Sequence, residues 1–125
     1  MKKMIVLMAM VISLFLSMDV ALGANLDLKG LWDRNAETDL AGYNLYRTDG
    51  TRTKINASLI GITYGTATNP YLFSLTITDG TEGTLRYKLT AVDTAGNESL
   101  DSAEAPYTYD LKAPLAPVGL GIFKQ

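Results

Sequence analysis

The 125-residue chain has no cysteine and no histidine, and a single tryptophan. Without cysteine there is neither a disulfide nor a lipid-modified N-terminal cysteine, so a small domain must hold together by packing and sheet hydrogen bonds. Without histidine the commonest general base and the commonest metal ligand are both missing. Basic clusters are lacking too. The chain carries 11 basic and 13 acidic residues, and this mild acidic excess argues against nucleic acid and anionic membrane as partners.

What is present begins with a leader. Lys2 and Lys3 precede the apolar run from Met4 to Met18, and Ala21-Leu22-Gly23-Ala24 follows it. This charged, apolar, small-residue order is that of a secretory signal peptide, with cleavage expected after Gly23. The run is also short for a membrane span, which needs roughly 20 apolar residues. Removing residues 1–23 leaves 102 residues, enough for one small core. Lys2, Lys3 and Asp19 leave with the leader, so the net charge of the remainder is −3. The expected location is secreted, extracellular or at the cell surface, with the periplasm as a further destination.

Residues 24–111 are written in period two. Tyr71, Phe73, Leu75 and Ile77 alternate with Leu72, Ser74, Thr76 and Thr78; Leu85, Tyr87, Leu89 and Ala91 alternate with Arg86, Lys88 and Thr90; and Ala103, Ala105, Tyr107, Tyr109 and Leu111 alternate with Glu104, Pro106, Thr108 and Asp110. Each run predicts a strand with one face buried and one wet, the pattern of antiparallel sheets. Asp49-Gly50, Asp79-Gly80, Gly83 and Gly96-Asn97 supply the turns between them. No segment after residue 24 carries a convincing helical period, and the chain reads as an all-β sandwich.

Around the tryptophan the stretches LWDRNAETDLAGYNLYR (31–47) and LRYKLTAVDTAGNES (85–99) resemble a bacterial fibronectin type III domain. The resemblance covers nearly all of residues 26–122. It implies an antiparallel immunoglobulin-like β-sandwich with Trp32 buried on the second strand, Tyr43 to Arg47 in the third, and a sixth strand ending in Ala91-Val92-Asp93. Leu85 stands where such domains usually open the sixth strand with a tyrosine, so nearby Tyr87 is the candidate for holding that corner. The segment 57–70 is longer than a plain connection and predicts an extra hairpin edge or a structured loop.

Such domains begin with a first strand preceded by a pattern like Ala-Pro-x-Ala-Pro-x-Gly-Leu. Here Leu26, Leu28, Gly30 and Trp32 already alternate as the second strand, and the missing pattern stands at the other end as APLAPVGL (113–120). The domain at 24–111 is therefore expected to lack its own first strand, and the tail at 112–125 to resemble one. An unpaired strand edge is a template for an extended segment, and strand addition is an established recognition mode. This predicts a donor strand of Val118, Leu120, Ile122 and Phe123 and an acceptor region around Leu26, Leu28 and Trp32. Forward donation from one copy to the next does not close, and so builds a filament. Two other fates stay open: the tail is a frayed linker remnant, or it pairs in reverse with its own domain.

Either of those leaves a monomeric extracellular binding or spacer module, with Tyr46 and Tyr64 as ligand-facing aromatics for a surface polysaccharide or a partner protein. Catalysis is not expected. Asp33, Glu37, Asp39 and Asp93 form no recognisable acid pair, Ser58 and Ser99 have no histidine partner, and Asp93 with Asn97 fits a self-shaped turn. Asp33 with Asp39 lacks a dedicated calcium-loop spacing, and no cofactor or metal is expected. Asn56-Ala57-Ser58 and Asn97-Glu98-Ser99 fit the glycosylation acceptor pattern, which arises often by chance.

Overall fold

A computed structural model describes residues 23–125. The leader expected at 1–23 lies outside the described residues but for its last glycine. The described chain is all-β, with six strands and no helix: β1 (Gly23–Gly30), β2 (Leu40–Arg47), β3 (Thr53–Lys54), β4 (Tyr71–Thr78), β5 (Glu82–Asp93) and β6 (Ala105–Asp110). Every pairing is antiparallel. One sheet holds β1 and β4, and the other holds β3, β2, β5 and β6 in that order.

Period-two alternation places the apolar sets as expected. In β1 the side chains of Leu26 and Leu28 turn inward while Asn25, Asp27 and Lys29 stay in water. In β2 Tyr43 and Leu45 are buried, and in β5 Leu85 and Tyr87. These residues join Leu40, Ile60 and Ile77 in one core, against which Leu26, Leu28, Phe73 and Leu75 of the smaller sheet pack. Phe73 meets Tyr87 edge-on at 5.4 Å between ring centroids, which ties the two sheets together across the interior. Asp79-Gly80 makes the β4–β5 turn, with Gly80 at φ 75°, a conformation glycine adopts without steric cost.

Three expectations need correction in detail. Trp32 lies two residues beyond the end of β1 rather than in it, and it is half-buried. Tyr87 does not tie a corner: its hydroxyl is buried and has no hydrogen-bond partner, and burial pushes its pKa up. The inward set of the last strand is largely uncovered: Ala105 and Tyr107 of β6 are exposed, as is Ala103, which precedes the strand. The period predicted which way these side chains point, and they do face the interior side, but nothing lies over them.

Segment 57–70 is a structured loop rather than a hairpin. Tyr43 and Ile60 exchange backbone hydrogen bonds of 3.0 and 2.9 Å as an isolated bridge. Asn56 anchors the loop's approach: its Oδ1 accepts from the Leu45 amide at 2.8 Å, and its Nδ2 donates to Asn44 Oδ1 at 2.8 Å and to the Ser58 carbonyl at 2.9 Å. Asn56 is buried, so in the folded chain it is a bracket rather than a glycosylation acceptor.

Candidate functional site: a groove beside an unpaired strand edge

Among the described residues β1 pairs with β4 alone, so its other edge is free along its length. On the opposite sheet β6 is likewise the last strand. Between these two edges runs an apolar groove of about 640 Å³, with Leu28, Trp32, Phe73, Leu89, Ala105 and Tyr107 among its walls. The uncovered inward face of β6 is one wall of this groove.

The two edges differ in what they offer. Pro106 sits in β6, and a proline within a ladder is tolerated where its nitrogen faces the unpaired side, so β6 has one donor fewer toward the groove. β1 contains no proline, and its charged side chains, Asp27 and Lys29, lie on the outer face rather than across the edge. A proline, one of the devices that blunt an edge strand, is thus present on β6 and lacking on β1.

Where β1 stops is set by local contacts. The Trp32 amide donates to the Gly65 carbonyl at 2.9 Å, which takes the chain off the ladder after Gly30. The indole then lies on Gly65, edge-on to Tyr43 at 5.2 Å and near Tyr71 at 6.5 Å. Gly65 has φ 98°, and a Cβ there would fall within the indole. The Trp32 Nε1 atom is buried without a partner.

The groove is lined by residues 27–32 from the end of β1 and by residues between 102 and 107 at the start of β6. β1 therefore finishes where β6 begins, and the two run in opposite directions. The tail leaves β6 after Asp110, at the end remote from this mouth. It has no regular structure, and Leu115, Val118, Leu120, Ile122 and Phe123 are between 87% and 96% exposed. The expected donor residues are thus in water rather than folded against the groove of their own chain. Of the expected acceptor residues, Leu28 and Trp32 line the groove, while Leu26 lies one inward position further along β1.

Tyr46 and Tyr64 are not brought together. Tyr46 belongs to the larger sheet, where its hydroxyl donates to Glu98 Oε1 at 2.6 Å and the Arg52 guanidinium lies 3.9 Å from the ring centroid. Tyr64 stands in the 57–70 loop, edge-on to Tyr71 at 6.3 Å. Sequence reasoning passed over the Glu98 cluster altogether. One carboxylate oxygen accepts from Thr90 Oγ1 at 2.5 Å, from Tyr46 and, at 3.3 Å, from Asn44 Nδ2. The hydrogen bonds from Thr90 and Tyr46 hold the Glu98 carboxyl below its ordinary pKa. No periodicity announces such a hub, because its members come from three distant segments.

Asp93 does shape its own turn: its carboxylate accepts from the Asn97 amide at 2.8 Å and from Asn97 Nδ2 at 2.9 Å. Among the described residues no group of three or more acidic side chains is placed to hold a metal ion. No family model, no curated protein and no solved structure matches the chain.

Proposed function

We propose that the protein is an exported, non-catalytic structural subunit of the fibronectin type III type. It lacks its own first strand and assembles head to tail by donating its C-terminal segment to the groove of the next copy. The supporting observation is the pairing of opposites on one molecule: a free β1 edge beside an apolar groove, and an exposed tail whose sequence alternates Val118, Leu120 and Ile122 with Gly119 and Gly121. The strand order β1–β4 and β3–β2–β5–β6 supports a fibronectin-type arrangement from its second strand onward.

Direction favours exchange over self-closure. A tail that continues the sense of β6 runs antiparallel to β1 of a copy placed ahead. To fill its own groove the same tail has to reverse and lie parallel to β1, a slightly less stable ladder. Burying Val118, Leu120 and Ile122 gives about 1.5–3 kcal/mol each. Ordering the backbone costs about 1–2 kcal/mol per residue, reduced by Pro114 and Pro117, which already restrict the free tail. The edge hydrogen bonds and contacts outside the groove then decide the affinity.

The alternative, a monomeric module using Tyr46 and Tyr64 as a platform for a polysaccharide or a protein loop, draws less support. Arg52 covers one face of the Tyr46 ring, and Tyr64 packs edge-on to Tyr71 in the 57–70 loop.

The test separates the two ends of the molecule. Leu120→Asp spoils the donor and keeps the groove, whereas Ala105→Trp fills the groove and keeps the tail. Each variant alone is expected to be a folded monomer, and the mixture to form a one-to-one dimer by light scattering. A mixture that stays monomeric, or a single variant that still polymerises, contradicts the proposal.

A further inference from the structure

The tetrapeptide Thr-Asp-Gly-Thr occurs twice, at 48–51 and at 78–81, and the two copies hold the chain's two Asp-Gly steps. An Asp-Gly step is open to attack by its own backbone, because glycine has no Cβ to shield its amide nitrogen from the preceding carboxyl. Identical sequence makes each copy a control for the other, and the fold places them in opposite situations.

At 48–51 the carboxylate is clamped by other donors. Asp49 Oδ1 accepts from Arg47 Nε at 2.9 Å and from the Arg86 amide at 3.0 Å, and Oδ2 accepts from Arg47 Nη2 at 2.8 Å. The Asp49 side chain is only 14% exposed, and Gly50 does not take a positive φ. The hydrogen bonds from Arg47 hold the carboxyl down to about 2, so near neutral pH it is ionised and has no hydroxyl to lose. At 78–81 the arrangement is reversed. Among the described residues the carboxylate of Asp79 has one hydrogen-bond partner, the amide of Gly80, which donates to Oδ1 at 3.0 Å. Asp79 is exposed, Gly80 stands at φ 75°, and a Cβ on it would meet nothing within 4 Å. The turn closes through Thr81 Oγ1, which donates to the Thr78 carbonyl at 2.6 Å and leaves the step between 79 and 80 unclamped.

We propose that Asp79 is a site of spontaneous isomerisation to isoaspartate, and that the fold protects the same tetrapeptide at 48–51. The Gly80 nitrogen attacks Cγ of the neutral Asp79 carboxyl. A C–N bond forms, the C–OH bond breaks, and the hydroxyl leaves with the amide proton as water. Water then reopens the five-membered imide. Addition at Cγ restores aspartate, whereas addition at the main-chain carbonyl carbon breaks the original peptide bond. The chain then runs through Cγ and bears a free α-carboxylate, with its composition unchanged. The product turn has one more backbone carbon, two residues before the Thr81 carbonyl that accepts from the Leu111 amide at 2.8 Å, where β6 gives way to the tail.

The purified protein, kept warm at pH 6 and sampled by peptide mapping against synthetic isoaspartyl standards, tests this. Isoaspartate is expected to build at residue 79 at least about tenfold faster than at residue 49, since holding reacting groups in or out of position changes rates on that scale or more. In concentrated urea, where only the shared sequence remains, the two rates are expected to converge. Arg47→Ala removes the clamp and is expected to speed residue 49 without changing residue 79, with tryptophan fluorescence checking that the variant folds. If residue 49 keeps pace in the folded protein, or residue 79 keeps its lead in urea, the fold does not select the site and the proposal is overturned. A folded Arg47→Ala chain in which residue 49 stays slow overturns the protection.

Discussion

The Trp32 amide and the Gly65 carbonyl are 2.9 Å apart, and this one hydrogen bond connects the long loop to the end of β1. It takes the chain off the edge after Gly30 and seats the indole in the groove wall. Gly65 allows the approach because it has no Cβ and holds φ 98°. Gly65→Ala adds a methyl where the indole lies and strains a left-handed backbone position, so a loss of at least about 2 kcal/mol is expected. Urea unfolding followed by tryptophan fluorescence measures it, and a variant as stable as the parent contradicts the packing described.

Asn56 is the second bracket. Replacing it with alanine leaves the Leu45 amide and the Asn44 side chain without their buried partners. The expected loss is about 2–3 kcal/mol, more than a neutral hydrogen bond usually contributes, because unsatisfied buried groups carry their desolvation cost. Chemical denaturation of Asn56→Ala, with Ser58→Ala as a control, checks the prediction. Ser58→Ala is expected to be nearly silent, since Asn56 uses the carbonyl of residue 58 and not its hydroxyl.

Acid should weaken the fold in a defined window. Hydrogen bonds from the Arg47 side chain hold the Asp49 carboxyl down to about 2, with the Arg86 amide assisting. A folded value below the unfolded value of about 3.9 means stabilisation that is fully present above about pH 4. It is lost as pH falls through about 2. For a pair near the surface the effect is on the order of 1 kcal/mol. Glu98, also depressed, contributes in the same direction. The urea midpoint at pH 7, 4 and 2 tests this, and Asp49→Asn should flatten part of the fall.

Much of the fold was legible because antiparallel strands advertise themselves by alternation. Tyr71 to Ile77 and Leu85 to Ala91 appear as β4 and β5 with their apolar faces inward. The period did not show whether those faces are covered. Ala105 and Tyr107 read as core and instead stand open on the groove, because no strand among the described residues lies over them. Trp32 was placed on a strand by alternation, but its amide's commitment to Gly65 ends β1 two residues earlier. Asn56 and Glu98 left no trace in the pattern. Their roles rest on side-chain contacts that span up to 54 residues of sequence, and single polar residues in loops carry no periodicity.

In the proposed assembly each molecule is both donor and acceptor, and the mass in solution of residues 24–125, beside a version ending at Leu111, tests that most directly. Sedimentation velocity is expected to show concentration-dependent oligomers for the longer chain and a folded monomer for the shorter one. Two folded monomers of equal stability would contradict the account, because the tail would then be neither a donor nor a filler of its own groove.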